Sequence, residues 1–130
     1  MQIIYIKGFI MTDIIDVDKI KILLREFATV RDWDQFHHPK NLAMALACEA
    51  GEVLEIFQWM SEQDSMKAHC DNAVKNKASE ELADVMLYLI RLADLMSINL
   101  ATALENKISI NNIKYPAELV KGSAKKYNEY

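Results

Sequence analysis

A chain of 130 residues is long enough for one domain with a real core and too short for two. Apolar residues make up 52% of it, which excludes a disordered chain; the net charge of −4 weighs against a nucleic-acid polymer as partner, since phosphates favour a basic face. Two cysteines do not make a disulfide scaffold, no apolar run approaches the ~18 residues of a membrane span, and the leader lacks a signal peptide's three-part plan, so the expected compartment is the cytoplasm.

Residues 1–15 read as an N-terminal arm or leader. Its apolar run from Met1 to Ile10 suits a short strand or an arm that pairs with another subunit, and Met11 offers an alternative start. Asp13 to Asp18 supply several possible N-caps. A first helix is predicted from about Asp18 to Arg31, with Ile20, Leu23, Leu24 and Phe27 as its apolar stripe. The segment from Arg31 to Asn41 breaks that pattern with aromatic and polar residues, and Pro39 suits entry to a new helix.

A second helix is predicted from about Lys40 to Met60, with Cys48 as a small core residue. Ser61 to Asn76 is a polar connection with room for a helical turn. A third helix is predicted from about Asn76 to Met96, its core stripe being Leu82, Val85, Leu89, Leu92 and Met96. Glu81, Asp84, Tyr88 and Arg91 lie on another face, roughly 100° away. Ser97 to Asn99 is a tight break with Asn99 as N-cap, and a fourth helix is predicted from about Leu100 to Lys114, ended by Pro116. Residues 117–130 form a polar tail. Scarce alternating Val/Ile/Thr runs and few glycines and prolines make the fold all-α: an antiparallel four-helix bundle-like domain over residues 16–116.

The acids of helices two and three carry the chemistry. Leu42, Ala45, Leu46, Val53, Ile56 and Met60 all fall within roughly 60° of Glu49 on a helical wheel, and Glu52 lies at the edge of the same stripe. Carboxylates bordering leucines need a partner, because an unpaired buried charge costs several kcal/mol or neutralises itself. Glu81 and Asp84 repeat the three-residue spacing, so each pair shares one helix face. If the two helices pack together, four carboxylates converge, and a divalent cation resolves their repulsion. Oxygen ligands without cysteine or histidine favour Mg²⁺, with Mn²⁺ as a substitute, over Zn²⁺. Mg²⁺ also meets substrate phosphates, which points to hydrolysis of a phosphate-bearing substrate by an oriented water. The competing reading leaves the acids solvated, as most acidic pairs on helices are. A di-iron bundle site needs a Glu-x-x-His pair, and the chain has none.

Trp33, Phe36, His37, His38, Trp59 and Tyr88 are candidates for a nucleoside pocket, since aromatic faces stack on bases and imidazoles read base edges; core packing is the alternative for each. Lys107, Asn111 and Lys114 are spaced to meet phosphates from one helix face, although Lys114 equally suits a helix C-terminus. Arg91 has three readings: toward Asp84, toward phosphate, or solvated.

Four stretches together resemble the MazG-like all-α nucleoside triphosphate pyrophosphohydrolases, and within them the dCTP pyrophosphatase branch. They are Arg31-Asp32-Trp33-x-Gln35-Phe36-His37-x-Pro39-x-Asn41-Leu42, Glu52-x-x-Glu55-x-Phe57-Gln58-Trp59, Glu81-Leu82-Ala83-Asp84-Val85-x-x-Tyr88-Leu89 and Lys107-x-x-x-Asn111-x-x-Lys114-Tyr115-Pro116. The resemblance covers about Ile20 to Tyr115 and leaves out the leader and the tail. It implies hydrolysis of a deoxynucleoside triphosphate to the monophosphate and pyrophosphate, with Mg²⁺ ligands at Glu49, Glu52, Glu81 and Asp84. It also implies a nucleoside pocket at Trp33, Trp59 and Tyr88, phosphate or sugar contacts at Lys107 and Asn111, and a homodimer or homotetramer with sites composed at subunit interfaces. Glu49 or Glu52 is the candidate to orient or deprotonate the water. One departure stands out: Leu24 occupies the helix-one position where the resemblance leads to a histidine, which leaves His37 or His38 to compensate. Two alternatives share the helical architecture: a dUTPase or phosphoribosyl-ATP pyrophosphohydrolase, and a non-catalytic nucleotide-sensing or oligomerisation module.

Overall fold

The computed structural model describes residues 5–6, 9–10 and 15–129. In the arm, strands β1 (Tyr5–Ile6) and β2 (Phe9–Ile10) pair antiparallel with each other, Tyr5 opposite Ile10 and Ile6 opposite Phe9. Apart from Ile15, the rest of the expected leader lies outside the described residues. Everything from Val17 onward is helix and connection: α1 (Val17–Thr29), α2 (Pro39–Phe57), α3 (Glu62–Lys67), a short 3₁₀ turn at Ala68–Cys70, α4 (Asn72–Leu95), α5 (Leu100–Lys114), α6 (Ala117–Val120) and a second 3₁₀ turn at Tyr127–Glu129.

The helix ends follow local chemistry. Asp16 caps α1 by accepting from the Lys19 amide at 3.0 Å. Pro39 opens α2 at its first turn, where a missing N–H costs nothing. Ser61 caps α3 from the Asp64 amide, and its hydroxyl donates back to the Asp64 carboxylate at 2.7 Å. Asp71 accepts from the Ala73 and Val74 amides, so α4 begins four residues before the predicted Asn76. Asn99 is the α5 cap, accepting from Thr102 at 3.0 Å. Tyr115, the residue before Pro116, leaves the helical region, as the proline ring demands.

The chain divides into two compact units, Met1–Met96 and Ser97–Tyr130, within the span expected to be one domain. In the first, α4 is the central element: α2 packs along it, and α1 packs on it as well. The first unit is therefore built on three long helices, and the fourth helix of the expected bundle, α5, belongs to the second unit.

The core of the described residues is thin. Ala28, Leu42, Ile90 and Ala93 are its buried apolar side chains, and Arg91 is buried among them at 6% exposure. Several residues expected inside lie on the surface: Leu23, Phe27, Leu82, Leu89 and Met96 are exposed, and Cys48 is an exposed free thiol. The apolar periodicity does mark helices, but a three-helix unit has too few facing surfaces to cover every stripe it carries. On α5, Leu104, Ile108 and Ile113 are exposed too. No single described helix is long and apolar enough to cross a membrane.

Candidate active site

Packing of α2 along α4 brings the two acidic pairs together. Glu49, Glu52 and Glu81 each present a carboxylate oxygen, and the three oxygens all lie within 4.8 Å of one another. Glu49 and Glu81 are half-buried and Glu52 is exposed. The Glu49 carboxyl is pushed above its ordinary range by lost hydration, then by the charges of Glu52 and Asp84. Glu81 is raised in the same way: lost hydration comes first, then the Glu52 charge and its hydrogen bond, with Asp84 adding to them and Lys77 opposing. Such a set of hard oxygen donors, crowded enough to resist ionisation, fits a divalent cation of the Mg²⁺ or Mn²⁺ type.

Asp84 lies one turn beyond Glu81 and lines an adjoining cleft of about 250 Å³, whose walls are Leu24, Phe27, Trp33, His37, Asp84, Leu87, Tyr88 and Arg91. The cleft is mostly apolar and aromatic with a few convergent polar groups, the composition of a small-molecule site. The link to the acids is Asp84, which lines the cleft and whose charge acts on Glu49 and Glu81.

The α1–α2 loop builds one wall. Asp32 adopts φ 54, in the left-handed region that a short polar side chain tolerates. Gln35 Nε2 donates to its carboxylate at 2.8 Å and to its carbonyl at 3.0 Å. That turn lets the Trp33 amide reach back to the Ala28 carbonyl at 2.9 Å. The indole then meets Phe27 edge to face, with centroids 5.7 Å apart, while the Arg31 guanidinium sits 3.6 Å above the Phe27 ring. His37 follows, its amide donating to the Trp33 and Asp34 carbonyls.

The floor is polar and paired. Arg91 donates from one terminal nitrogen to Asp34 at 2.8 Å, from the other to Asp94 at 3.3 Å, and from Nε to His37 Nδ1 at 3.2 Å. Arg25 forks onto the same Asp94 with two hydrogen bonds. Thr29 Oγ1 donates to the second oxygen of Asp34 at 2.8 Å. The hydrogen bond from Arg25 holds Asp94 below the usual carboxylate range, and the charges of both arginines add to it against burial. His37 is held below its ordinary value by burial first and then by the Arg91 charge, with Asp34 opposing.

The expected site residues thus divide into groups. Glu49, Glu52 and Glu81 cluster, and Asp84, Trp33, His37 and Tyr88 meet at the cleft. His38 is exposed as the α2 N-cap residue and does not line the cleft. Trp59 is 89% exposed: α2 ends at Phe57, so the indole sits in the turn beyond the helix instead of on its second turn past Glu52. Lys107, Asn111 and Lys114 lie on α5 in the second unit, where the Lys114 ammonium rests 4.8 Å from the Tyr127 ring centre. Arg91 is neither solvated nor paired with Asp84; it is the buried hub of the floor. The signal for it was Arg91 and Asp94 spaced three apart within an apolar helix, where charge has to be paired.

The sequence profile of the MazG-like family matches residues 44–130. The chain is 40% identical over 113 residues to dCTP pyrophosphatase 1 of Homo sapiens, covering 87% of this chain and 66% of that protein. The protein of the same name from Bos taurus is 38% identical over the same length. The crystal structure of a pyrophosphatase from Archaeoglobus fulgidus superposes with a TM-score of 0.72 at 37% identity, covering 83% of this chain and 99% of that one.

Proposed function

The chain belongs to the MazG-like family, and from that membership and the site's geometry we propose that it is a Mg²⁺-dependent nucleoside triphosphate pyrophosphohydrolase, favouring dCTP and yielding dCMP and pyrophosphate. The observation that carries the reading is the adjacency of two parts: three carboxylates within 4.8 Å of one another, and an aromatic cleft lined by Asp84, whose charge acts on Glu49 and Glu81. The first part suits a cation with the phosphates it neutralises, and the second suits a nucleoside.

In this reading Glu49, Glu52, Glu81 and Asp84 hold Mg²⁺, which when bound offsets triphosphate charge and favours attack by water. Trp33 and Tyr88 bound the base, and Glu49 or Glu52 orients the attacking water and accepts its proton. The new bond joins that water oxygen to the α-phosphorus; the bond that breaks links the α-phosphorus to the oxygen bridging to the β-phosphate, and pyrophosphate leaves. Lys107, Asn111 and Lys114 are assigned to the phosphates or sugar, and Trp59 and His38 to the nucleoside, in an assembled homodimer or homotetramer. The many exposed leucines, isoleucines and methionines support such an assembly, because a single copy leaves them in water. The cytoplasm is the compartment proposed, with nucleotide-pool cleaning as the role.

The test is a panel of dCTP, dATP, dTTP, dUTP and phosphoribosyl-ATP with Mg²⁺, with the products identified. Pyrophosphate and dCMP, formed fastest from dCTP, are expected. Orthophosphate would reject the reaction class, and binding without turnover would favour a nucleotide-sensing module.

A further inference from the structure

We propose that Arg91 is a positioning residue that fixes His37 as its Nε2–H tautomer, making the imidazole an obligatory hydrogen-bond donor to the base edge in the cleft. The inference rests on the nucleoside reading of that cleft and adds to it the residue that reads the base and the residue that sets its proton.

The nitrogens of a guanidinium only donate. Arg91 Nε–H points at His37 Nδ1 at 3.2 Å, so that nitrogen must present its lone pair. A neutral imidazole carries one proton, which therefore sits on Nε2. Protonating Nδ1 would set one N–H against another, and burial beside the Arg91 cation opposes the charged ring as well. The guanidinium cannot easily turn away, because Asp34 and Asp94 hold its two ends and Arg25 and Thr29 hold those carboxylates in turn. Arg91 is 6% exposed, so water does not compete for these bonds.

His37 Nε2 has no protein partner among the described residues, and its ring lines the cleft opened by Trp33, Tyr88 and Asp84. With Leu24 supplying only an apolar wall, His37 is the neutral imidazole of the cleft. Its fixed donor demands an acceptor. The pyrimidine ring carbonyl O2 or the cytosine N3 meets that demand, and a base edge that turns an N–H toward it does not.

Two measurements on the full-length chain with Mg²⁺ test the proposal. The first is a long-range proton–nitrogen-15 spectrum of the three histidines at neutral pH, with His37 assigned by its loss in His37→Gln. Nε2 protonated and Nδ1 bare is the expected state, and in Arg91→Lys the two shifts should move toward an averaged pair. An Nδ1–H or averaged His37 in the wild type overturns the proposal. The second is kinetic. His37→Gln places an amide donor near Nε2 and should keep kcat/KM for dCTP within about 3-fold, whereas His37→Phe should lose about 10-fold, chiefly through KM. His37→Phe with an unchanged KM overturns the base contact. Titration with dCMP separates this failure from that of the parent reading. If the chain hydrolyses no deoxynucleoside triphosphate, the pyrophosphohydrolase reading falls. A shift of the His37 Nε2–H on adding dCMP then still supports the contact, and its absence overturns it.

Discussion

Asp94→Asn removes the charge that two arginines share. The Asp94 side chain is 6% exposed and Arg91 is 7% exposed, while Arg25 is 59% exposed. Removing one partner of a buried ion pair typically costs about 3–5 kcal/mol, because the other charge is stranded. Here the strandedness is partial. Arg25 can turn to water, Arg91 keeps Asp34, and the asparagine carbonyl still accepts a hydrogen bond. The cost at neutral pH should therefore be about 2 kcal/mol after discounting for these outlets. Its pH dependence is the sharper test. The Arg25 hydrogen bond, followed by the arginine charges, depresses the Asp94 pKa below the ordinary 3.8. A depressed carboxyl contributes stability that is present above 3.8 and lost as the pH falls through the folded-state value. Asparagine has no such loss. In urea unfolding followed by circular dichroism at fixed protein concentration, the gap between wild type and variant should be full at neutral pH and close well below 3.8. A gap of the same size at both pH values would refute the electrostatic account, and no gap at neutral pH would refute the network itself.

Glu52→Gln should fold and lose at least about 100-fold in Mg²⁺-dependent pyrophosphate release; full turnover by a folded variant would sink the site assignment. Glu49 and Glu81 have raised folded-state values, so the metal-free fold binds protons more tightly than the unfolded chain in the range just above 4.5. Its stability should fall as the pH rises through that window, and Mg²⁺ should restore it at neutral pH; thermal melts with Mg²⁺ against EDTA read both effects, and equal melting temperatures would count against a cation site. Trp33→Ala should raise KM for dCTP by about 10-fold through lost stacking, with kcat less affected, as initial-rate kinetics can show. Sedimentation at micromolar concentration should find a dimer or tetramer, given the exposed apolar stripes; a monodisperse monomer would remove the assembled-site reading.

Much of the candidate site was legible because its signals are short-range. Glu49 with Glu52 and Glu81 with Asp84 each span three residues of one helix, and that spacing alone sets them on common faces. The loop from Arg31 to Asn41 announced itself by breaking the apolar period, and its Trp33 and His37 do line the cleft. Trp59 escaped the expected placement because α2 stops at Phe57, three residues before the predicted Met60, so the helical period no longer sets where its indole lies. Arg91 escaped because its one local signal, Asp94 three residues on, suits an exposed i,i+3 pair as well as a buried one. Its partners Asp34 and His37 are more than fifty residues away.

The sequence by itself carries the helix starts, since Asp16, Asp71 and Asn99 act on amides within one turn and Pro39 opens one, whatever the rest of the chain does. It also determined which acids share a face, and the family. Only the tertiary structure decided which faces meet. Packing α2 along α4 joined Glu49, Glu52 and Glu81, and the α1–α2 loop reached Arg91 through Asp34 and His37; Ile90, Arg91 and Ala93 are buried, while Leu82 and Leu89 stay in water. Apolar periodicity ranks a helix's faces by hydrophobicity, but burial depends on the area a neighbour can cover, and three long helices cover only part of what these present.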